Sequence, residues 1–164
     1  MKFLCDDNLG KLAKYLRMLG LDTFFRIDIS DAKLLGIMLK QNRIVLTRDN
    51  QLIKRIEPER YLLIESDSPE EQLKAVVKRF DLDVSLNIDD LDRSRMLFSR
   101  CLECNDVCDD VDKDEIIDEV FPYIIKTQDS FKRCPSCRRI FWQGSHYKDM
   151  VKKLADVVNE IRNR

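Results

Sequence analysis

The chain of 164 residues contains no apolar run long enough to cross a bilayer. Its amino terminus carries no signal-peptide pattern either. Charged residues make up 36% of the sequence and hydrophobic residues 44%, which is typical of a soluble protein with a core. These absences argue against a membrane protein, and we expect a cytoplasmic protein without a membrane partner.

Two further features are lacking. The formal net charge is only −1, so the overall charge gives no support to nucleic-acid binding. There is also no internal repeat or low-complexity tract, which argues against a repeat architecture. Evidence for function must therefore come from local patterns.

Strand-like and helix-like segments alternate through the first half of the chain. Lys2–Cys5 reads as a strand that ends at Asp6 and Asp7, and Asn8 is the expected N-cap of a helix that reaches Leu19. Further strands are predicted at 22–26, 44–47 and 61–64, and further helices at 31–39, 51–55 and 68–80. The alternation predicts an α/β fold with a parallel sheet flanked by helices.

The polar stretch 81–95 is the best linker candidate, so we place a domain boundary near residue 95, between a domain 1–95 and a second domain 96–164. In the second domain the pattern predicts a short helix within 109–119 and a strand at 123–126. A final helix is expected to begin at 144–146, with Met150, Leu154 and Val158 on its apolar side.

Six cysteines are present, and four of them form two Cys-x-x-Cys pairs, Cys101/Cys104 and Cys134/Cys137. In a cytosolic chain this spacing indicates a metal site rather than disulfides. Two such pairs complete a tetrahedral four-thiolate shell for zinc, which is structural because no coordination position stays open. The alternatives are a redox dithiol, or the use of Cys108 as a ligand. We expect Cys108 to be a spare thiol.

Acidic residues follow three of the predicted strands. Asp6 ends the first strand, Asp28 and Asp31 follow the second, and Asp49 lies two residues beyond the third. In a parallel sheet these carboxylates meet at one edge and repel one another unless a hard cation such as Mg²⁺ or Mn²⁺ neutralises them. Such a cation can activate water against a phosphodiester, and Thr47 could orient Asp49. The alternative is that these acids are ordinary helix caps or solvated turn residues.

Basic residues near these acids are candidate phosphate contacts, namely Lys11, Lys14 and Arg17 on the first helix and Arg48 beside Asp49. A second candidate surface surrounds the cysteine pairs, where basic side chains alternate with rings in a way that suits a single-stranded nucleic acid. It comprises Lys132, Arg133, Arg138 and Arg139 with Phe131, Phe141, Trp142 and Tyr147. The alternatives are a solvated helix face in the first case and a ribbon core in the second.

Two motifs in the first half are specific, Phe3-Leu4-x-Asp6-x-x-Leu9-Gly10-x-Leu12-Ala13-x-x-Leu16-Arg17-x-Leu19-Gly20-x-Asp22 and Arg43-Ile44-x-Leu46-Thr47-Arg48-Asp49. The second half adds Arg100-Cys101-Leu102-x-Cys104-Asn105, Cys134-Pro135-x-Cys137 and Phe141-Trp142-x-Gly144-Ser145-His146. Together they resemble the Mut-seven C-terminal RNase family across nearly the whole chain. Cys5, Cys108 and the Lys14-Tyr15 pair depart from the family pattern.

The resemblance implies a PIN-like α/β nuclease domain joined to a zinc ribbon, with metal-dependent RNase activity. It implies Asp6 and Asp49 as acids of the site, Asp31 as the third, Asp28 close behind and Asp67 as an uncertain fourth. We therefore expect an endoribonuclease that uses Mg²⁺ or Mn²⁺ and leaves a 5′-phosphate and a 3′-hydroxyl. The alternative is a non-catalytic RNA-binding or assembly module that uses the ribbon.

The single histidine, His146, has two possible roles. It could shuttle a proton or contact phosphate, or it could pack at the domain interface while Ser145 caps the last helix. We favour the structural role.

Overall fold

A computed structural model of the chain describes residues 1–83 and 97–162. The domain boundary predicted near residue 95 lies outside the described residues, so the division into 1–95 and 96–164 stays a prediction.

Strands and helices alternate along the first part of the chain, as the sequence pattern predicts. The elements are β1 (Lys2–Cys5), α1 (Gly10–Met18), β2 (Asp22–Phe25), α2 (Asp31–Gln41), β3 (Ile44–Thr47), β4 (Tyr61–Leu63) and α3 (Pro69–Arg79). Short 3₁₀ turns lie at Asp7–Leu9, Leu52–Arg55 and Pro58–Arg60. The second part contains β5 (Asp109–Val111), α4 (Pro122–Thr127), β6 (Phe131–Arg133), β7 (Ile140–Trp142) and α5 (Ser145–Arg162).

The first four strands form a parallel sheet in the order β2-β1-β3-β4. The predicted α/β fold with helices on both faces is confirmed. Because the strands are parallel, their carboxyl ends open onto one edge, where ligands bind in open α/β sheets.

Each face of this sheet has its own core, since successive side chains of a strand point to opposite faces. Phe3 packs with residues of α1, α3 and α5, whereas Leu4 packs with Leu34 and Met38 of α2. Phe3 and Leu4 are completely buried. At about 25 cal/mol per Å² of apolar area, such residues supply most of the driving force for folding.

The second sheet is antiparallel, with the order β5-β6-β7. The predictions in this part of the chain are only partly correct. The expected short helix within 109–119 is present as a 3₁₀ turn at Lys113–Glu115, but residues 109–111 form a strand because they pair with Phe131–Arg133. Residues 123–126 belong to helix α4, since Pro122 occupies its first turn and fixes a helical φ. A short apolar run cannot be assigned to strand or helix by periodicity alone.

The last helix packs against α3 and joins the core of the α/β part rather than standing apart with the ribbon. Leu154, Val157 and Val158 of α5 join the core that contains Phe3 and Leu73. The predicted apolar side of this helix is therefore confirmed, and its partner is the α/β layer. None of the helices in the described ranges is long and apolar enough to span a membrane.

Candidate active site and metal centre

Asp6 occupies the turn between β1 and α1. Its backbone N–H donates to the carbonyl of Leu46 at 3.0 Å, which fixes Asp6 beside the end of β3. Its Oδ1 accepts the N–H of Asp7 at 2.8 Å and caps the 3₁₀ turn Asp7–Leu9. The expected capping role of Asn8 is thus wrong: Leu9 immediately precedes α1 and makes no side-chain capping bond.

A buried threonine connects Asp6 to Asp49. The Thr47 hydroxyl donates to Asp6 Oδ2 at 2.7 Å and accepts the backbone N–H of Asp49 at 3.0 Å. Thr47 is completely buried, so its rotamer is fixed by packing. The sequence suggested that this hydroxyl orients the Asp49 carboxylate, but it orients the Asp6 carboxylate and the Asp49 backbone instead.

The Asp49 carboxylate lies in an exposed turn after β3. Its Oδ1 accepts the N–H of Gln51 at 2.6 Å. This bond directs one oxygen into the turn and leaves Oδ2 with no bond in the described residues. Asp6 and Asp49 thus lie at the carboxyl ends of two neighbouring strands, as the parallel topology requires.

The acids after β2 are arranged differently. Asp31 begins α2 and forms an ion pair with Arg55 at 3.2 Å, in which both side chains are about half exposed. Asp28 is exposed in the loop before α2 and has a left-handed backbone with φ of 56°. Among the described residues, no three acids bring carboxylate oxygens within 4.8 Å of one another, so the expected tight convergence is absent.

Arg48 and Asp67 form an ion pair at this edge. Arg48 Nη1 lies 2.5 Å from Asp67 Oδ1, and the Asp67 side chain is 86% exposed. The Nε of Arg48 and the Oδ1 of Asp7 are both buried without a hydrogen-bond partner in the described residues. Such atoms are rare in folded proteins and often mark a site for a ligand, ion or water.

The three basic residues of α1 that were expected to contact phosphate lie in three different environments. Lys11 is exposed, and Lys14 pairs with Glu103 of the first cysteine turn at 2.8 Å. Arg17 is buried, with its guanidinium donating to the carbonyls of Thr23 and Leu102. The expectation that Arg17 contacts phosphate is wrong, because its donors already satisfy main-chain carbonyls. Burial lowers the pKa of Arg17 from its ordinary value.

The two Cys-x-x-Cys turns have the same backbone geometry. Cys101 N–H bonds to Asp106 C=O, and Cys134 N–H bonds to Arg139 C=O. The residue that follows the second cysteine of each pair has a left-handed backbone, with φ of 69° at Asn105 and 63° at Arg138. This repeated geometry turns the thiols of each pair to the same side, which is the arrangement that a shared cation requires.

The four thiols form one cluster, and all their sulfur atoms lie within 4.8 Å of one another. The Sγ atoms of Cys101 and Cys137 are 3.7 Å apart, close to the roughly 3.8 Å edge of a tetrahedron with Zn–S bonds of about 2.3 Å. A hydrogen bond from the backbone N–H of Arg139 lowers the pKa of Cys137 to about 7, whereas the hydrogen bond with Cys137 raises the pKa of Cys104 to about 12, so Cys137 ionises more readily than Cys104. The four cysteines therefore form a zinc-binding site.

Cys108 packs against this cluster but is not part of it. Desolvation raises the pKa of its thiol to about 12. The expectation that Cys108 is a spare thiol is confirmed. Cys5, the other remaining cysteine, is buried at the end of β1, and desolvation raises its pKa as well.

The first cysteine turn docks onto the edge of the parallel sheet. The Asn105 Oδ1 accepts the N–H of Thr23 in β2 at 2.8 Å, and its Nδ2 donates to Asp22 Oδ1 at 2.7 Å. Arg100 donates to the carbonyl of Gly20 at 3.0 Å. Both residues belong to the sequence motifs of the second half, but their role could not be predicted, because their partners lie about 80 positions away in the sequence.

The remaining basic and histidine candidates lie on the surface. Arg138 and Arg139 are exposed on the second cysteine turn, and Arg139 approaches Glu103 at 3.5 Å. His146 is exposed in the first turn of α5, so it does not pack at an interface as expected. Tyr147, the residue after His146, contacts Phe98 instead, with the two rings tilted and their centroids 4.4 Å apart.

The profile of the Mut7-C RNAse domain family matches residues 1–154. The chain belongs to this family. No curated protein and no solved structure matches the chain. Membership of this family implies a ribonuclease type of function with RNA as the substrate class, in agreement with the resemblance that the sequence motifs carry.

Proposed function

We propose that the chain is a metal-dependent ribonuclease whose acids are Asp6 and Asp49, with Asp31 as the third. One observation carries this proposal. The buried Thr47 hydroxyl holds the Asp6 carboxylate and the Asp49 backbone together at the carboxyl edge of the sheet. A purely structural turn does not need a buried hydroxyl between two acidic positions, whereas a site for a cation and a phosphodiester needs fixed carboxylates.

The donor set at this edge suits Mg²⁺ or Mn²⁺, because the side chains of Asp6 and Asp49 offer carboxylate oxygens. The buried, unpartnered Oδ1 of Asp7 is a further oxygen beside Asp6 that such a cation or its waters could satisfy. When bound, the cation would supply charge neutralisation and activation of water. Asp6 and Asp49 would hold it through their carboxylates.

Asp31 could join this set at little cost. Its present partner, Arg55, is half exposed, as is Asp31 itself. Exposed ion pairs contribute about 0–1 kcal/mol, so a divalent cation could easily replace the Arg55 guanidinium as the partner of Asp31. Asp28 remains a weaker candidate for this position.

The basic residues of the edge would position the RNA backbone. Arg48 is adjacent in sequence to Asp49 and keeps a buried Nε donor without a partner in the described residues. Lys11 is exposed on the helix that follows Asp6. Attack by water on the phosphorus of a phosphodiester within the chain, with cleavage of the bond between phosphorus and the 3′ oxygen, would leave a 5′-phosphate and a 3′-hydroxyl, the products of an endoribonuclease.

A second function is favoured by a different observation. Because the described acids do not form a compact ligand cluster, the protein could bind RNA without cutting it. In that case the ribbon, with Arg138 and Arg139 exposed beside the cysteine cluster, would be the contact surface. The zinc would then stabilise this surface, since four thiolates leave no open coordination position.

One experiment separates the two functions. The wild type, Asp49→Asn and a control variant, Asp149→Asn on α5, are incubated with single-stranded and stem-loop RNA, with and without Mn²⁺. A nuclease is expected to cut only with Mn²⁺, and Asp49→Asn should lower the rate by about a hundredfold or more while the control does not. If no variant cuts and all bind RNA equally, the protein is a binding module.

A further inference from the structure

A cleft of about 570 Å³ opens between the loop that follows β2 and one side of α2. Its apolar surface comes from Phe24, Ile29 and Ile37. Gly36 leaves the cleft wide, because a Cβ at this position would meet no neighbouring atom within 4 Å. The sequence pattern gave this part of the chain no function beyond the two nearby acids.

The cleft carries a strong excess of positive charge. Arg26, Lys33 and Lys40 line it, and Asp28 is the single acid among its lining residues. In the described part of the chain, these three cations form no ion pair with an acid. Since the protein as a whole is nearly neutral, this unpaired charge indicates an anionic ligand more strongly than a general basic surface would.

The cleft also leads away from the proposed catalytic edge. Asp28 belongs to its lining, and Asp31 lies on the same helix two residues before Lys33. From Lys33 to Lys40 the helix extends about 10 Å, at roughly 1.5 Å per residue. A chain bound near Asp31 could therefore continue along α2 with its charges beside these lysines.

We propose that this cleft is a subsite for single-stranded RNA that flanks the bond to be cut. Arg26, Lys33 and Lys40 would contact phosphates, and the apolar surface around Ile37 would accept a base or sugar. This combination of cations and apolar surface is typical of single-strand binding, which is tolerant of sequence. The link to cleavage rests on the proposed nuclease function, whereas RNA binding in the cleft can be tested without it.

The binding test uses a labelled single-stranded RNA of twelve nucleotides, followed by fluorescence anisotropy in buffer without added divalent cations. Lys33→Gln with Lys40→Gln should weaken binding about tenfold and reduce the slope of log affinity against log salt by about 1.4, since each phosphate contact contributes about 0.7. Gly36→Leu has room for its Cβ, which would meet no neighbouring atom within 4 Å, and its uncharged side chain should occupy part of the cleft. It should therefore weaken binding and leave the slope unchanged.

The matched control removes the same charge from another helix. Lys148→Gln with Lys152→Gln on α5 changes two exposed lysines and should leave the affinity within about twofold of the wild type. Thermal unfolding of every variant confirms that the fold is kept. If the control weakens binding as much as the cleft variants, or if a polyglutamate peptide displaces RNA equally well, the subsite is refuted.

A cleavage assay distinguishes failure of the subsite from failure of the nuclease proposal. With the twelve-nucleotide RNA, the double variant Lys33→Gln with Lys40→Gln should have a higher KM than the wild type. A dinucleotide cannot reach the cleft, so the variant should cut it at the same rate as the wild type. If the wild type cuts no RNA, the nuclease proposal fails and anisotropy still decides the subsite. If the wild type cuts and the cleft variants bind normally, only the subsite fails.

Discussion

Replacement of Asn105 by alanine should loosen the attachment of the first cysteine turn to the parallel sheet. The Asn105 side chain makes one bond with the main chain of Thr23 and one with the carboxylate of Asp22. A neutral hydrogen bond contributes about 1 kcal/mol and one to a charged group about 1.5–3 kcal/mol. The left-handed backbone at Asn105, with φ of 69°, adds about 1–2 kcal/mol of strain for alanine.

Together these contributions predict that Asn105→Ala lowers the free energy of unfolding by about 3.5–6 kcal/mol. For a chain of this size each kcal/mol corresponds to about 2–4 °C, so the melting temperature should fall by roughly 7–24 °C. Asn105→Gly removes the same bonds without the strain and should lose about 1–2 kcal/mol less.

The chain offers a matched control for this substitution. Asn42 ends α2 with a similar left-handed backbone, φ of 50°, but its side chain makes only a long bond of 3.4 Å with Arg60. Asn42→Gly should therefore change the free energy of unfolding by less than about 0.5 kcal/mol. The comparison of the two glycine variants isolates the two hydrogen bonds of Asn105.

Urea unfolding followed by two signals gives the measurement. The single tryptophan, Trp142, lies in β7 and reports on the ribbon, whereas circular dichroism reports mainly on the helices. If the turn is docked as described, both transitions should move to lower urea in Asn105→Ala. Equal stability of Asn105→Gly and Asn42→Gly would refute the reasoning, because the docking bonds would then contribute nothing.

Three further predictions follow from the same structure. Thr47→Val should keep the fold but lower RNA cleavage about ten- to hundredfold, because Asp6 and Asp49 lose the hydroxyl between them, whereas Thr47→Ser should stay close to wild type; equal rates for the two variants would contradict this. Chelation of zinc should lower the melting temperature and change tryptophan fluorescence, and a protein without stoichiometric zinc by elemental analysis would refute the ribbon assignment. Burial opposes ionisation of Asp22, but hydrogen bonds from Arg43 and Asn105 lower its pKa below the ordinary value of 3.8, so its stabilisation is present above about pH 4 and is lost as the pH falls further. Urea titrations from pH 3 to 6 should show this loss in the wild type and a smaller one in Asp22→Asn.

The candidate site was only partly predictable. The acids Asp6 and Asp49 could be found because each directly follows a recognisable strand, and parallel strands end at one edge. Asp31 was placed beside them by the same rule, but its ion pair with Arg55 depends on where a turn 24 residues later folds back. The position of a residue after a parallel strand predicts the edge of the sheet at which its side chain lies. It does not predict which residue forms an ion pair or a hydrogen bond with that side chain.

Three properties could be predicted from residue patterns alone, namely the alternation of strands and helices, the apolar side of α5 and the four zinc ligands. These properties depend on residue spacing within one segment or on two short matched motifs, so they can be predicted before the fold is known. The strand at 109–111 escaped prediction because its acidic residues become a strand only by pairing with β6.

The roles of Arg17, Thr47 and Asn105 depend on contacts that form when the chain folds. Arg17 occupies a helical position that looks solvent-exposed, yet the first cysteine turn covers it and takes its donors. Thr47 and Asn105 are bonded to partners 41 and 82 positions away, respectively. A hydrogen bond between residues far apart in the sequence produces no periodic pattern of residue types. The partners of such polar side chains can therefore be identified only from the folded structure.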